Sequence, residues 1–123
     1  MKSFDNVTVT AKANIYFDGK CVSHTLLCAD ASRKSVGVIF PSTLTFNTGA
    51  PETMEIIGGR CRVRLAGAEG WQEIAAGQQF EVGANSSFDI ETLETVDYIC
   101  QSVRMTCRIT SISVNGPRYL DKD

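Results

Sequence analysis

Apolar residues along this chain come in short runs, and in several of them polar and apolar positions alternate. Residues 60–65 show the pattern best: Cys61, Val63 and Leu65 fall on one face of an extended strand, and Arg60, Arg62 and Arg64 on the other. Similar β-rich runs cover 7–11, 15–17, 21–27, 35–40, 43–48, 54–57, 71–75, 79–82, 88–91, 96–100 and 105–114. Turn-forming clusters separate them, among them Asp18-Gly19, Gly58-Gly59, Gly67 to Gly70 and Gly83 to Ser86. No stretch of ten or more residues holds apolar positions at helical spacing, so the pattern predicts an all-β sandwich or barrel with at most a turn or two of helix.

The chain has 123 residues, enough for one domain with its own core. No internal repeat is visible. A central body over 14–101 is flanked by an N-terminal extension, 1–13, and a C-terminal extension, 102–123. Met105, Cys107, Ile109, Ile112 and Val114 alternate in the latter as an edge strand would, before a polar end expected to fray. Apolar positions in both flanks and open strand edges predict self-association, most simply a homodimer.

Charge narrows the partners. A formal net charge of -2 lacks the basic surface of a nucleic-acid or anionic-membrane binder. No apolar run approaches the roughly 20 residues that span a bilayer, and residues 1–6 lack the apolar centre of a signal peptide, so a cytoplasmic protein is expected. The arginine stripe of 60–65 fits either a phosphate site or a solvated or partner-facing surface.

Five cysteines, at 21, 28, 61, 100 and 107, show no two-residue-spaced pair of the kind zinc and redox sites use. They read as buried free thiols. His24 is the single histidine. An imidazole is a candidate general acid near neutral pH, but its neighbours Ser23 and Thr25 to Leu27 have the look of an ordinary strand.

Glu52 followed by Gly59 resembles the end of the first metal-binding motif of the cupins, and Gly77, Gly83 and Phe88 fall at positions of the second. Where cupins carry histidine ligands, this sequence has Phe46, Thr48 and Phe88. Zinc and iron sites take at least three protein ligands from histidine, cysteine or carboxylate, so no bound metal and no organic cofactor are expected. The cupin resemblance implies a single-domain jelly roll of the RmlC-like type, drawn as a β-barrel, with these positions lining its cavity.

A more specific resemblance covers residues 14–101. Tyr16-Phe17-Asp18-Gly19-Lys20, Arg33-Lys34-Ser35-Val36-Gly37-Val38, Thr45-Phe46-Asn47-Thr48, Pro51-Glu52-Thr53-Met54, Ile57-Gly58-Gly59, Trp71-Gln72, Ala76-Gly77, Phe80-Glu81-Val82, Ser86-Ser87-Phe88 and Tyr98-Ile99-Cys100 follow in order. Together they resemble the small cupin-fold pyrimidine/purine nucleoside phosphorylases. Departures are the turn Pro41-Ser42-Thr43-Leu44, the turn Gly83-Ala84-Asn85, and Gln101 where an arginine is common. The last removes a cation that would help hold phosphate.

The resemblance implies phosphorolysis: nucleoside and inorganic phosphate give free base and ribose 1-phosphate without a metal. Arg33 is the first candidate for the phosphate, because a guanidinium holds two oxygens at once. Lys20 is either a second charge or an exposed turn lysine, and Ser35 either a phosphate donor or a strand-end hydroxyl. Phe46 and Phe88 offer ring faces that stack on any base without reading its edge, or else simply fill the interior. Glu52 either contacts the ribose and steadies its developing positive charge or caps the turn to Gly59. Thr48 and Tyr98 are further polar candidates. The alternative function is a cupin-like small-ligand binding protein without turnover.

Overall fold

The computed structural model describes residues 2–102. Strands form where the alternation predicts them: β1 (Thr8–Val9), β2 (Asn14–Tyr16), β3 (Cys21–Leu27), β4 (Arg33–Ile39), β5 (Ser42–Asn47), β6 (Glu52–Gly58), β7 (Arg60–Leu65), β8 (Gln72–Ala75), β9 (Gln79–Val82), β10 (Ser87–Thr92) and β11 (Val96–Ser102). Several expected strand ends differ, as at 7–11, where only Thr8–Val9 is strand, and at 54–57, where the strand runs Glu52–Gly58. Phe17 leaves the strand for a one-turn 3-10 segment, Phe17–Gly19, and the strand expected over 35–40 begins earlier, at Arg33. The run at 105–114 lies outside the described residues.

The strands pair antiparallel in two sheets. The larger has the order β1-β3-β4-β11-β6-β9, with β2 also on β3; the smaller has the order β5-β10-β7-β8. Their inner faces share one core, in which Ile39, Ile56, Tyr98 and Val96 from the larger sheet meet Val63, Ile74, Phe88 and Ile90 from the smaller. This is the all-β, cupin-like arrangement expected, hydrogen-bonded as two facing sheets rather than round one continuous ring. Among the described residues no helix is long and apolar enough to cross a membrane.

The pleat sorts the residues of each strand. In β7, Cys61 and Val63 are buried and Arg60 and Arg62 exposed. Each arginine of the stripe faces a carboxylate. Arg62 bonds Glu91, Arg64 bonds Asp89, and Arg60 lies 3.3 Å from Glu73. The guanidinium groups of Arg62 and Arg64 also lie over the Trp71 ring, 4.9 and 4.6 Å from its centre. Thr45 adds a bond to Asp89 from the neighbouring strand, and this bond, with Arg64, holds the Asp89 carboxyl below its ordinary value.

Of the described cysteines, none is in a disulfide; Cys21, Cys61 and Cys100 are buried, while Cys28 is half-exposed.

Gly59 shows why the turn between β6 and β7 needs glycine. Its φ is +81°, and a Cβ there would stand 2.4 Å from the Thr95 carbonyl oxygen. Gly59→Ala should therefore cost about 1–3 kcal/mol through strain and overlap together, measurable as a lower midpoint in urea unfolding.

Burial pushes the Cys61 thiol up to about 11. In the unfolded chain the thiol ionises near its ordinary value of 9.0. The native state thus gains a contribution that is complete below that pH and is lost as pH climbs towards 11. Melting followed by circular dichroism should show the midpoint falling across this interval, and less steeply in Cys61→Val.

Candidate functional site

Hydrogen-bond register brings the site residues of the larger sheet together. Ser23 pairs with Gly37, and Gly37 with Tyr98. One step along, Ser35 pairs with Cys100 and Cys100 with Met54. A further step brings Ser102 beside Glu52. Across the core stand Phe46 and Phe88, partners in the register of β5 and β10. Together with Tyr16 and Asn47 these side chains enclose a cavity of about 40 Å³, lined by Ser23, Ser35, Glu52, Met54, Tyr98 and Cys100 on one wall and Phe46 and Phe88 on the other. That volume holds about two or three water molecules.

The polar wall is tied into pairs. Tyr98 is 6% exposed, and its phenol lies 3.4 Å from the Cys21 sulfur. Ser23 also hydrogen-bonds it. Burial, reinforced by Cys21, holds the phenol well above the ordinary tyrosine value, so it stays a proton-bearing donor at neutral pH. Asn14 on β2 donates to the hydroxyls of Ser23 and Thr25. Gly37 separates Ser23 from Tyr98 in the ladder, and any Cβ there would lie 2.3 Å from the Val22 carbonyl oxygen. The backbone of β3 therefore approaches β4 closely beneath the phenol.

Glu52 is a buried carboxylate, 6% exposed. The Cys100 thiol donates to its Oε1 across 3.5 Å. Burial first, and the Glu52 charge second, raise the Cys100 thiol well above its ordinary value. The thiol is consequently a neutral donor and no nucleophile.

Aromatic packing makes the opposite wall. Phe46 and Phe88 stack on each other, ring centres 5.4 Å apart and planes 19° from parallel. No base fits between rings so spaced, and a stacked base has to lie on the outer side of the pair. Phe80 meets Phe88 edge to face at 5.3 Å, and Phe17 meets Phe46 in the same way at 5.2 Å.

Other candidates from the sequence fall at different distances from this cavity. Arg33 is exposed at the start of β4 and, by strand alternation, on the same face as Ser35, which puts it at the rim. Lys20 lies at the other end of the β3–β4 pair, where its carbonyl accepts from the Phe40 amide. Since Leu27 faces Arg33 while Cys21 faces Ile39, the backbones of Lys20 and Arg33 are about 20 Å apart at the usual strand rise. One phosphate does not span them.

Thr48 is buried but does not line the cavity. Its hydroxyl donates to the Gly83 carbonyl at 2.6 Å and accepts from the Ser86 amide at 3.0 Å, fastening the end of β5 to the turn before β10. His24 is on the outer face, with Nδ1 3.1 Å from the Thr10 carbonyl oxygen. Gln101 is also on the outer face, where Lys34 donates to its Oε1 at 2.8 Å. The residue at 101 therefore points away from the cavity, and glutamine there takes no cation from it.

Tyr16, Ser23, Asn47, Met54 and Cys100 line the cavity without having been singled out from the sequence. For Ser23 and Cys100 a signal exists, since each is two residues from an inward-facing neighbour, Cys21 or Tyr98. Asn47 stands in the motif Thr45-Phe46-Asn47-Thr48 but is an exposed residue at the end of β5, where alternation does not mark it as inward. Among the described residues no three histidine, cysteine or acidic side chains converge as a metal site would require.

Comparison with known proteins gives this geometry a family. A sequence profile described as pyrimidine/purine nucleoside phosphorylase matches residues 11–102. Proteins named pyrimidine/purine nucleoside phosphorylase from Cupriavidus pinatubonensis and Thiobacillus denitrificans are 69% and 65% identical, over 81% of this chain and 95% and 97% of their own lengths. A crystal structure of a protein of unknown function from an Acinetobacter species superposes with a TM-score of 0.81 at 48% identity, covering 82% of this chain and 98% of that one. The Clostridium difficile EutQ protein, at 11% identity and a TM-score of 0.58 over 71% of this chain and 70% of its own, shares the fold alone. By its matched profile and its close relatives, the chain belongs to the pyrimidine/purine nucleoside phosphorylase family.

Proposed function

We propose that the cavity is the catalytic pocket of a metal-independent phosphorylase that converts purine and pyrimidine nucleosides and inorganic phosphate into free base and ribose 1-phosphate. The observation that carries this reading is the facing of two unlike walls: hydroxyls and a carboxylate on the larger sheet, aromatic rings on the smaller. A nucleoside has the same division. Its base is flat and apolar on its faces, and its sugar is ringed with hydroxyls.

In the reaction a phosphate oxygen bonds to C1′ as the bond from C1′ to the base nitrogen breaks, and the base leaves with the electron pair and takes up a proton. Positive charge builds on the sugar on the way. A fixed carboxylate stabilises that charge more in the transition state than in the substrate, which is what accelerates a reaction. Glu52 is assigned this role, with the ribose hydroxyls as its donors. Ser35 and Tyr98 supply hydroxyl donors to the sugar and the phosphate, and Arg33 grips the phosphate from the rim. Phe46 and Phe88 carry the base by its face, which leaves purine and pyrimidine edges unread and suits broad specificity. Thr48 is left a structural role in the loop, and Lys20 is too distant to share the phosphate with Arg33.

Purified protein incubated with uridine or adenosine should release free base only when phosphate is added. Binding without release would instead make the protein a small-ligand binder. Arg33→Ala should cut turnover by about a hundredfold, the scale of losing one transition-state donor, while Lys20→Ala should stay within about twofold of the parent. An unchanged rate in Arg33→Ala removes that residue from the site.

Treatment with a chelator should leave the rate intact. A loss restored by a divalent metal would overturn the metal-free assignment.

A further inference from the structure

The cavity, at about 40 Å³, is far smaller than a nucleoside, so the proposed substrate either projects from its mouth or displaces part of its wall. The turn between β2 and β3 is built to move. Phe17 and Asp18 have φ of 52° and 55°, and Gly19 follows at 92°. Left-handed backbone is natural for glycine, but for a residue as bulky as phenylalanine it is an outlier held only by its surroundings. No side chain caps the turn, and Phe17 is tied locally by the Lys20 amide donating to its carbonyl at 3.1 Å.

What holds Phe17 there is its ring. β2 lies at the margin of the larger sheet and β5 at the edge of the smaller. The turn reaches across the open side between them and sets the half-buried Phe17 ring against Phe46, centres 5.2 Å apart and planes at 84°. The preceding residue, Tyr16, lines the cavity. Phe88 already stacks on Phe46, and Phe17 stands at right angles to Phe46 in contact with the same ring.

Resting on the phosphorylase reading above, we propose that Phe17 occupies the seat on Phe46 that the nucleobase takes, and that the turn Phe17–Gly19 swings outward as the base enters. The backbone strain favours the swing, and the lost ring contact opposes it. Phe17 then acts as a specificity-determining residue: its ring competes with every base, and the larger purine has to displace it more fully than a pyrimidine does.

The test is steady-state phosphorolysis of adenosine and uridine, at saturating phosphate, by Phe17→Gly, Phe17→Ala and Phe17→Trp. Glycine removes the competing ring and accepts the positive φ without strain; Phe17→Leu keeps an apolar side chain and serves if the smaller residues do not fold. Removing the ring should lower KM about two- to tenfold, the equivalent of one aromatic pair contact, more for adenosine than for uridine, with kcat within about twofold. Phe17→Trp should raise KM, again more for adenosine. A higher KM in Phe17→Gly and Phe17→Ala would make the ring part of the binding wall and overturn the proposal, as would a KM that does not change. If the parent protein releases no base at all, the phosphorylase reading fails, and calorimetry with adenine decides the seat separately. Tighter adenine binding by Phe17→Gly would uphold it, and equal or weaker binding would overturn it.

Discussion

A polar group withdrawn from water has to find a partner inside the protein, and the arrangement of this site follows from that requirement. The inner face of the larger sheet carries Ser23, Tyr98, Cys100 and Glu52 into the core. Each is held by a neighbour: Ser23 by Asn14, Tyr98 by Ser23 and Cys21, Cys100 by Glu52. These bonds fix where the hydroxyls and the carboxylate point. A loosely held carboxylate would reorganise as charge developed, whereas a fixed one acts without that cost.

The smaller sheet answers with the rings of Phe46 and Phe88; the hydroxyl of its buried Thr92 is spent on the Phe40 carbonyl. Phe46 and Phe88 stack on each other with ring centres 5.4 Å apart, and from the larger sheet's side Phe80 meets Phe88 at 5.3 Å and Phe17 meets Phe46 at 5.2 Å. Such a wall offers faces rather than edges. It therefore attracts flat molecules while leaving their hydrogen-bonding groups unread. The same packing leaves only a small cavity between the sheets, which is why the proposed chemistry is paired with a proposed movement of Phe17.

Charge, meanwhile, is kept on the outside. Arg60, Arg62 and Arg64 face Glu73, Glu91 and Asp89 across neighbouring strands, and Lys34 meets Gln101. These are exposed pairs of small individual worth. Their effect on the site is to leave Arg33 as the cation that shares a strand face with Ser35. This supports the proposed phosphate role of Arg33, because Arg62 and Arg64 are already engaged by a carboxylate and an indole ring.

Alternation along 60–65 and along its neighbours was enough to announce the strands and the face each would bury, since a strand has only two faces and an apolar row will not stay in water. The motif positions Phe46, Thr48, Glu52 and Phe88 were likewise readable as inward residues. The sequence could not say that Thr48 would turn its hydroxyl to Gly83 and Ser86, that Lys20 and Arg33 would end about 20 Å apart, or that Gln101 would face outward. Those outcomes depend on register between strands distant in the chain, and a shift of one residue reverses every face. Nor could it foresee Phe17 folded back on Phe46, because a left-handed phenylalanine defies local preference and its ring meets a residue of the opposite sheet. Local pattern settled which residues go inside; pairing across the sheets settled which of them meet.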